Sequence, residues 1–396
     1  GAPEGTGQNA PGGGSKAASC DGFKNGTGIT KDKIIIANAS DISGPVPGLF
    51  QGAQDGVRAY VAYFNSQSDI CGRKLELLTL DSRTDNGADQ QAYTKACQNA
   101  FAAVGSQSAF DSGGAATASN CGIPDIRATS VTKERFSCKN CYSSQSVNVN
   151  QFQNAVPDFI KKTTPKGAKN AGFLWINAGA GPINAQNQAK AMTKRGMRFV
   201  YQQGIDVSEF NYAPFVQQMK SKNVDYVQFL GAYQQAVRLA QAMKQQNFEP
   251  DLFMLDPTGY NQGYVDQGGD AVDGTHVFMN IAAFADAQSN KEMALYQAWL
   301  RQVKPSAKPD YFGVFAWSAA RLFVEESLKL GGKLDRQSLI QSVGRVRNWT
   351  SNDIHSAQQV GARNVGDCWR FLQLRGGKWN PVGGSRYTCN GVTNVN

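Results

Sequence analysis

The chain has 396 residues, 41% of them hydrophobic and 18% charged. That is globular composition, which excludes a wholly disordered polypeptide, and at about 150 residues per domain the length predicts two or three domains. No run of about 18 apolar residues occurs, so no membrane-spanning helix is expected. The 40 Lys and Arg exceed the 31 Asp and Glu by a net charge of +9. Without a long basic run or an aromatic-basic RNA motif, that excess describes a solvated surface and excludes nucleic acid as the expected partner.

Residues 1–19 hold eight Gly or Pro. Such a segment buries too little to fold, and a flexible tether is predicted over 1–28. Lys33-Ile34-Ile35-Ile36-Ala37 is then a short apolar run of the kind found in buried parallel strands. After the break Asp41-Ile42-Ser43-Gly44-Pro45, the residues Leu49, Ala53, Val57, Tyr60, Val61 and Phe64 recur at the spacing of one helix face. Lys74 to Leu80 predicts a strand, Asp89 to Phe101 a helix and Ala102 to Gly105 a third strand. This β-α-β-α-β order implies a parallel sheet covered on both faces.

The order restarts at a strand over 172–176. A Gly/Pro turn, 178–182, leads to a helix over 185–195. Strands at 199–203, 224–230 and 252–255 alternate with helices at 214–221 and 234–246. A strand over 275–280 and long helices over 291–303 and 313–330 follow. Trp369 to Leu374 and Lys378 to Val382, joined by Gly376-Gly377, read as an antiparallel hairpin. The expected fold class is α/β, two doubly wound parallel-sheet lobes with a C-terminal hairpin.

Eight cysteines with only two histidines favour disulfides over zinc, and hence an oxidising compartment. Cys138-Lys-Asn-Cys141 lacks the strand-then-helix setting of a redox motif. The pairing expected is Cys20–Cys71, Cys97–Cys121, Cys138–Cys141 and Cys368–Cys389.

Catalytic signatures are missing. His276 falls in a strand-like run and His355 in a polar loop, neither beside a nucleophile motif. Gly-x-Ser-x-Gly, His-Glu-x-x-His and the phosphate loop do not occur, and Gly179-Ala180-Gly181-Pro182 is not a complete dinucleotide fingerprint. No catalytic residue, cofactor or metal is expected. Asp41, Asp81, Asp111 and Asp256 fall near strand ends, where caps and turns are the expected roles. Open α/β sheets bind ligands at the carboxyl ends of their strands. The first-lobe loops there offer Ser43, Ser106, Ser108, Phe110, Thr129 and Ser130, a set able to hold a small anion through hydroxyls and backbone N–H groups. The second-lobe loops add Asn177, Tyr233, Asp256 and Tyr260.

Several of these runs stand in a familiar order: Ile34-Ile35-Ile36 before Ser43-Gly44-Pro45, Asp55-Gly56-Val57-Arg58-Ala59-Tyr60, Cys71-Gly72-Arg73-Lys74-Leu75-Glu76-Leu77 and Asp81. Val104-Gly105-Ser106, Gly122-Ile123-Pro124, Val224-Asp225-Tyr226-Val227 and Leu255-Asp256 continue it. The order and spacing resemble type I periplasmic binding proteins, specifically the extracellular solute receptors of branched-chain amino-acid ABC transporters, over about residues 28–345. The resemblance implies two lobes, 29–149 plus 279–348 and 150–278 plus 349–396, joined by crossings near 148–151, 277–282 and 345–352. It implies a small-molecule ligand, with a carboxylate, gripped between them and delivered to a membrane permease. The carboxylate would meet Ser108, Thr129 and Ser130, the ammonium Asp256, and Tyr233 would match a loop tyrosine. The small residues at Asn177-Ala178-Gly179-Ala180-Gly181 imply a roomier pocket, which makes a larger aromatic or partly apolar acid the alternative to an amino acid. A monomer is implied, lipid-anchored at the outer face of the cytoplasmic membrane or in the periplasm. Competing readings are a ligand-sensing regulatory subunit of the same fold and an α/β enzyme with an unrecognised site.

Overall fold

The computed structural model describes residues 18–384 and 386–396. Five parallel strands form the first sheet: β1 (Lys33–Ser40), β2 (Lys74–Asp81), β3 (Ala102–Val104), β4 (Asp125–Arg127) and β5 (Cys141–Ser143), in the order β2-β1-β3-β4-β5. Ile34, Ile36, Ala37 and Ala39 of β1 are all buried, as a strand covered on both faces requires. The helix Gln51–Gln67 lays Ala53, Val57, Tyr60 and Phe64 against the helix Tyr311–Leu330. Gly56 permits that approach, since a Cβ there would lie 2.3 Å from the Gly313 carbonyl oxygen. The Tyr60 ring meets Trp317 edge-on at 4.9 Å.

The strand β6 (Gln151–Gln153) stands apart and pairs with β15 (Val392–Asn394). The second sheet contains β7 (Ala171–Ile176), β8 (Phe199–Ile205), β9 (Tyr226–Leu230), β10 (Leu252–Leu255), β11 (His276–Met279), β12 (Cys368–Arg375) and β13 (Lys378–Val382). Their order is β13-β12-β11-β10-β9-β7-β8, and β14 (Thr388–Cys389) pairs with β12. β12 runs antiparallel to β11 and β13 antiparallel to β12, the hairpin expected from Gly376-Gly377. Two parallel sheets covered by helices are the two lobes of the fold. Among the described residues no helix is long and apolar enough to cross a membrane.

The four cystines pair as the sequence analysis expects. The tether expected over 1–28 lies outside the described residues as far as 17. Residues 18–28 are docked on the first lobe: Cys20 is bonded to Cys71, Ala18 N donates to Leu328 O at 3.2 Å, and Gly332 N to Ser19 O at 2.7 Å. A covalent tie to Cys71 holds a segment whose composition alone would leave it loose. His355 is likewise not in a solvated loop. It is 2% exposed, stacks on Phe315 at 4.8 Å and shares its ring nitrogens with Ser318 Oγ and Ser356 O. Burial lowers its pKa to about 4, as it does that of His276 in β11, so both rings are neutral.

Behind β4 lies a cluster of charges without solvent. Arg127 and Arg135 are fully buried, so their guanidinium groups must be met by protein. Arg135 donates to Asp125 at 2.8 Å, to Asp89 at 3.1 Å and to the Asp111 carbonyl at 2.8 Å, and lies 4.1 Å over the Tyr93 ring. Arg127 bonds the Tyr93 hydroxyl and stands 3.8 Å from Asp111. Removing one member leaves the others charged and dry. Arg135→Met is expected to lower stability by about 3–5 kcal/mol in urea unfolding, and a loss below 1 kcal/mol, roughly the value of an exposed pair, would refute the account.

Candidate functional site

Three stretches link the lobes. Residues 144–150 join β5 to β6, residues 280–283 leave β11, and residues 344–367 return to β12. They lie side by side: Ser356 N donates to Asn280 O at 2.8 Å, Ala282 N to Ile354 O at 2.8 Å, and Ser146 N to Gln358 Oε1 at 3.1 Å. The part of the third stretch that pairs with the second is 354–356, beyond the spacing expected at 345–352. Tyr311 joins the first two, since its hydroxyl accepts from Gln145 Nε2 and donates to Asn280 Oδ1, both at 2.6 Å.

Between the lobes, beside these crossings, is a cleft of about 240 Å³. The first-lobe wall comes from loops at the carboxyl ends of the strands. Asp41 holds two of them: it accepts from Ser82 Oγ at 2.6 Å, Thr84 N at 2.8 Å and Ala109 N at 2.8 Å. Asp111 holds the third, accepting from Val131 N at 2.9 Å and Thr132 Oγ1 at 2.5 Å. The wall so fixed presents Thr84, Gln107, Thr129 and Ser130. The Thr129 amide donates to Gln107 Oε1. Thr84 Oγ1, Gln107 Nε2 and Thr129 Oγ1 are buried and have no protein partner.

The second-lobe wall carries Ile176, Leu230, Asn184, Gln235 and Asp256. Asp256 caps the turn 257–259, accepting from Thr258 Oγ1 at 2.8 Å. Burial raises its pKa to about 6. Among the described residues lining the cleft, Asp256 is the only acid, and there is no Lys, Arg or His. Nor is any group of three His, Cys, Asp or Glu placed to hold a metal ion among the described residues.

The candidates from the sequence separate into three groups. Thr129, Ser130 and Asp256 come together at the cleft. Tyr233 and Tyr260 sit in a smaller recess next to it, shared with Leu49, Thr258, Tyr311 and Phe312. Tyr260 is 2% exposed, stacks on Phe284 at 4.4 Å and accepts from Phe284 N. Ser43, Ser106, Ser108, Phe110 and Asn177 lie outside the lining. Ser43 Oγ donates to Asp81, and Ser106 Oγ accepts from Ala39 N. Ser108 Oγ accepts from Phe110 N and supports Asp41, and Asn177 Oδ1 accepts from Trp175 Nε1. These hydroxyls and this amide shape the loops instead of facing the space between them. The sequence reading passes over Thr84, Gln107, Gln145 and Tyr311. Only Gln107 carried a signal, its place between Ser106 and Ser108 after β3; Gln145 and Tyr311 come to the cleft only because the crossings bring them there.

The lobes touch. Ala180 N donates to Ala109 O at 3.0 Å, and Asn184 Nδ2 to Val131 O at 3.2 Å. Gly179, at φ +50, makes the contact possible, for a Cβ there would lie 2.2 Å from Ala109 O. The Gly/Ala turn is thus the point at which the second lobe's backbone meets the first lobe.

Comparison with known proteins agrees with this architecture. The family profile described as periplasmic binding protein matches residues 33–378. No curated protein matches the sequence. Among solved structures, a leucine binding protein from Thermotoga maritima is similar with a TM-score of 0.73 at 14% identity, over 91% of this chain and 99% of that one. A solute binding protein from R. palustris in complex with benzoate gives 0.72 at 17%, over 90% and 98%. A fatty acid ABC transporter substrate-binding protein from Thermomonospora curvata gives 0.75 at 16%, over 94% and 97%. At these identities the likeness carries the fold.

Two predictions follow from the geometry. Gly179→Val places a branched side chain against Ala109 O, so small-angle scattering of this variant is expected to show the lobes held apart under every condition that compacts the native protein; equal compaction would refute the contact. Asp256 has a folded pKa above its ordinary 3.8, so the native state takes up the proton first and stability rises as pH falls from above 6 towards 4. Asp89 and Asp310, also raised to about 6 by burial, act with the same sign. Asp256→Asn is expected to stabilise the ligand-free protein by about 1–3 kcal/mol at pH 8, with the gain gone at pH 4, measured as urea midpoints across that range.

Proposed function

The chain belongs to the periplasmic binding protein family, type I in fold, and we propose that it captures a small solute between its lobes for an ABC importer. The observation that carries this reading is the set of unpartnered polar atoms on the first-lobe wall, Thr84 Oγ1, Gln107 Nε2 and Thr129 Oγ1. A buried polar atom without a partner costs about 1–3 kcal/mol, and a ligand carboxylate or carbonyl seated there relieves that cost. Thr129, Ser130 and the Gln107 amide then hold the ligand's acceptor group. Asp256 faces a ligand ammonium where one is present. Ile176 and Leu230 meet the apolar part. Affinity arises from burying the ligand and satisfying its polar ends, and no bond is made or broken.

The neighbours' own ligands support a solute with a carboxylate: leucine for one, benzoate for another, a fatty acid for the third, as they are described. In this reading the protein acts as a monomer outside the cytoplasmic membrane, reaches its permease in the closed form, and the Gly/Pro-rich start of the chain serves as its tether to a lipid anchor. Four cystines fit that oxidising setting.

A thermal-shift screen at neutral pH tests the reading, with the twenty amino acids beside aromatic, fatty and polycyclic carboxylates. A ligand present at 100 times its Kd stabilises the native state by about 2.7 kcal/mol. At least one member is therefore expected to raise Tm by several degrees, and Thr129→Val is expected to reduce that shift. A screen in which nothing moves Tm would sink the proposal.

A further inference from the structure

The family match ends at residue 378, and the chain runs on to 396. That continuation is built into the second lobe. Cys389 is bonded to Cys368 at the start of β12. β15 pairs with β6 in the register Val392 to Gln153, Thr393 to Phe152 and Asn394 to Gln151. Asn154 fastens the end of β6: its N–H donates to Gly391 O and its Nδ2 to Asn390 O, both at 2.9 Å, while Oδ1 accepts from Thr393 Oγ1 at 2.6 Å. The strand held in this way is part of the cleft. Gln151, Phe152 and Gln153 line it, together with Trp369 of β12, Phe278 of β11 and Val365.

These residues flank the crossings on the second-lobe side, so they form the hinge end of the cleft. The wall there is aromatic. Phe152 meets Phe278 edge-on at 6.1 Å, and Phe278 lies 5.5 Å from Trp369. Several of the amide groups around it are engaged. Gln151 Oε1 accepts from Val365 N and its Nε2 donates to Asn394, Asn187 Nδ2 donates to Val149 O, and Gln188 Oε1 accepts from Gln228. Among the described residues, none of those lining this end has a buried side-chain atom without a partner. The cleft is therefore divided. Its first-lobe wall asks for a polar group, and its hinge end offers apolar surface without charge.

Resting on the capture reading, we propose that the hinge end takes the apolar body of an amphipathic ligand longer than the side chain of an aliphatic amino acid. The C-terminal continuation is then the element that sets ligand length, because it fixes the position of β6 and Phe152. The ligand's head group lies at Gln107 and Thr129, and its hydrocarbon part runs along Val365 towards Phe152, Phe278 and Trp369.

Two homologous series test this by titration calorimetry at neutral pH: 2-aminoalkanoic acids from norvaline to 2-aminodecanoate, and n-alkanoates from pentanoate to palmitate. In at least one series Kd is expected to fall about four-fold per added methylene beyond norleucine. Val365→Phe narrows the hinge end and is expected to weaken the long members at least ten-fold more than the shortest. Phe152→Leu, a smaller change to the same wall, is expected to move the preferred length upward, and it decides the matter if the first variant fails to fold. Affinity that peaks at norleucine, with both variants treating short and long members alike, would overturn the length proposal and leave solute capture standing. No binding by either series overturns the length proposal, and no binding by any amino acid or any aromatic, fatty or polycyclic carboxylate as well would remove both.

Discussion

Buried carboxylates hold the binding wall in place. A parallel sheet ends in loops whose N–H groups have no ladder partner, and those loops must nevertheless stand still if they are to face a ligand. Asp41 gathers the loops after β2 and β3 on its two oxygens, and Asp111 gathers the loop after β4. Thr84, Gln107, Thr129 and Ser130 take their positions from those bonds. Asp111 is itself tied, through its carbonyl and its carboxylate, to the arginines packed behind β4. A charge cluster with no access to solvent thus reaches the surface of the cleft through Asp111, and also directly, since Arg127 Nε donates to Thr129 O at 3.2 Å.

Closure rests on a second constraint, the absence of a side chain. Ala180 N reaches Ala109 O because Gly179 brings no Cβ to the contact. On the opposite side, Tyr311 is part of the cleft lining and of the crossings at once, through Gln145 and Asn280. Tyr311 is thus bonded to two of the three segments that link the lobes. The same geometry explains why the cleft needs so few charged groups. With one acid and no base among the described lining residues, the cleft is lined mainly by neutral hydrogen-bonding and apolar groups.

Much of the fold was legible in order along the chain. Runs such as Ile34-Ile35-Ile36 and the apolar spacing from Ala53 to Phe64 are local signals, and each of these elements appears where its pattern stands. The hairpin over β12 and β13 was legible for the same reason, with two glycines between two alternating runs. Apart from β3, short strands gave no such signal. β4, β5 and β6 have three residues each, too few for a period to show, and they exist because neighbouring strands supply their partners. The helix Asn86–Asn99 begins earlier than its apolar residues suggest, because Asp85 caps it by accepting from Ala88 N at 2.7 Å.

For the site, the sequence located the loops and, of the side chains within them, Thr129, Ser130 and Asp256. Ser43, Ser106 and Ser108 have the hydroxyls that an anion site needs, and so do Thr129 and Ser130. A hydroxyl is equally suited to bracing its own loop, and residue type cannot say which use it has. Ser106 and Ser108 turn inward to Ala39 N and to Phe110 N, while Thr129 lines the cleft and its buried Oγ1 has no protein partner. By itself the sequence determined the alternation of strands and helices, the paired cysteines, the lack of catalytic signatures and the end of the sheets at which a ligand would sit, since all of these depend on neighbours along the chain. Only the tertiary structure decided which hydroxyls remain unpartnered, that Gln107 and Tyr311 reach the cleft, and that the last residues of the chain back its hinge end. Those outcomes depend on groups brought together across 22 positions of sequence, as for Thr129 and Gln107, up to 243, as for Gln151 and Asn394 where β15 pairs with β6, and no local pattern encodes such contacts.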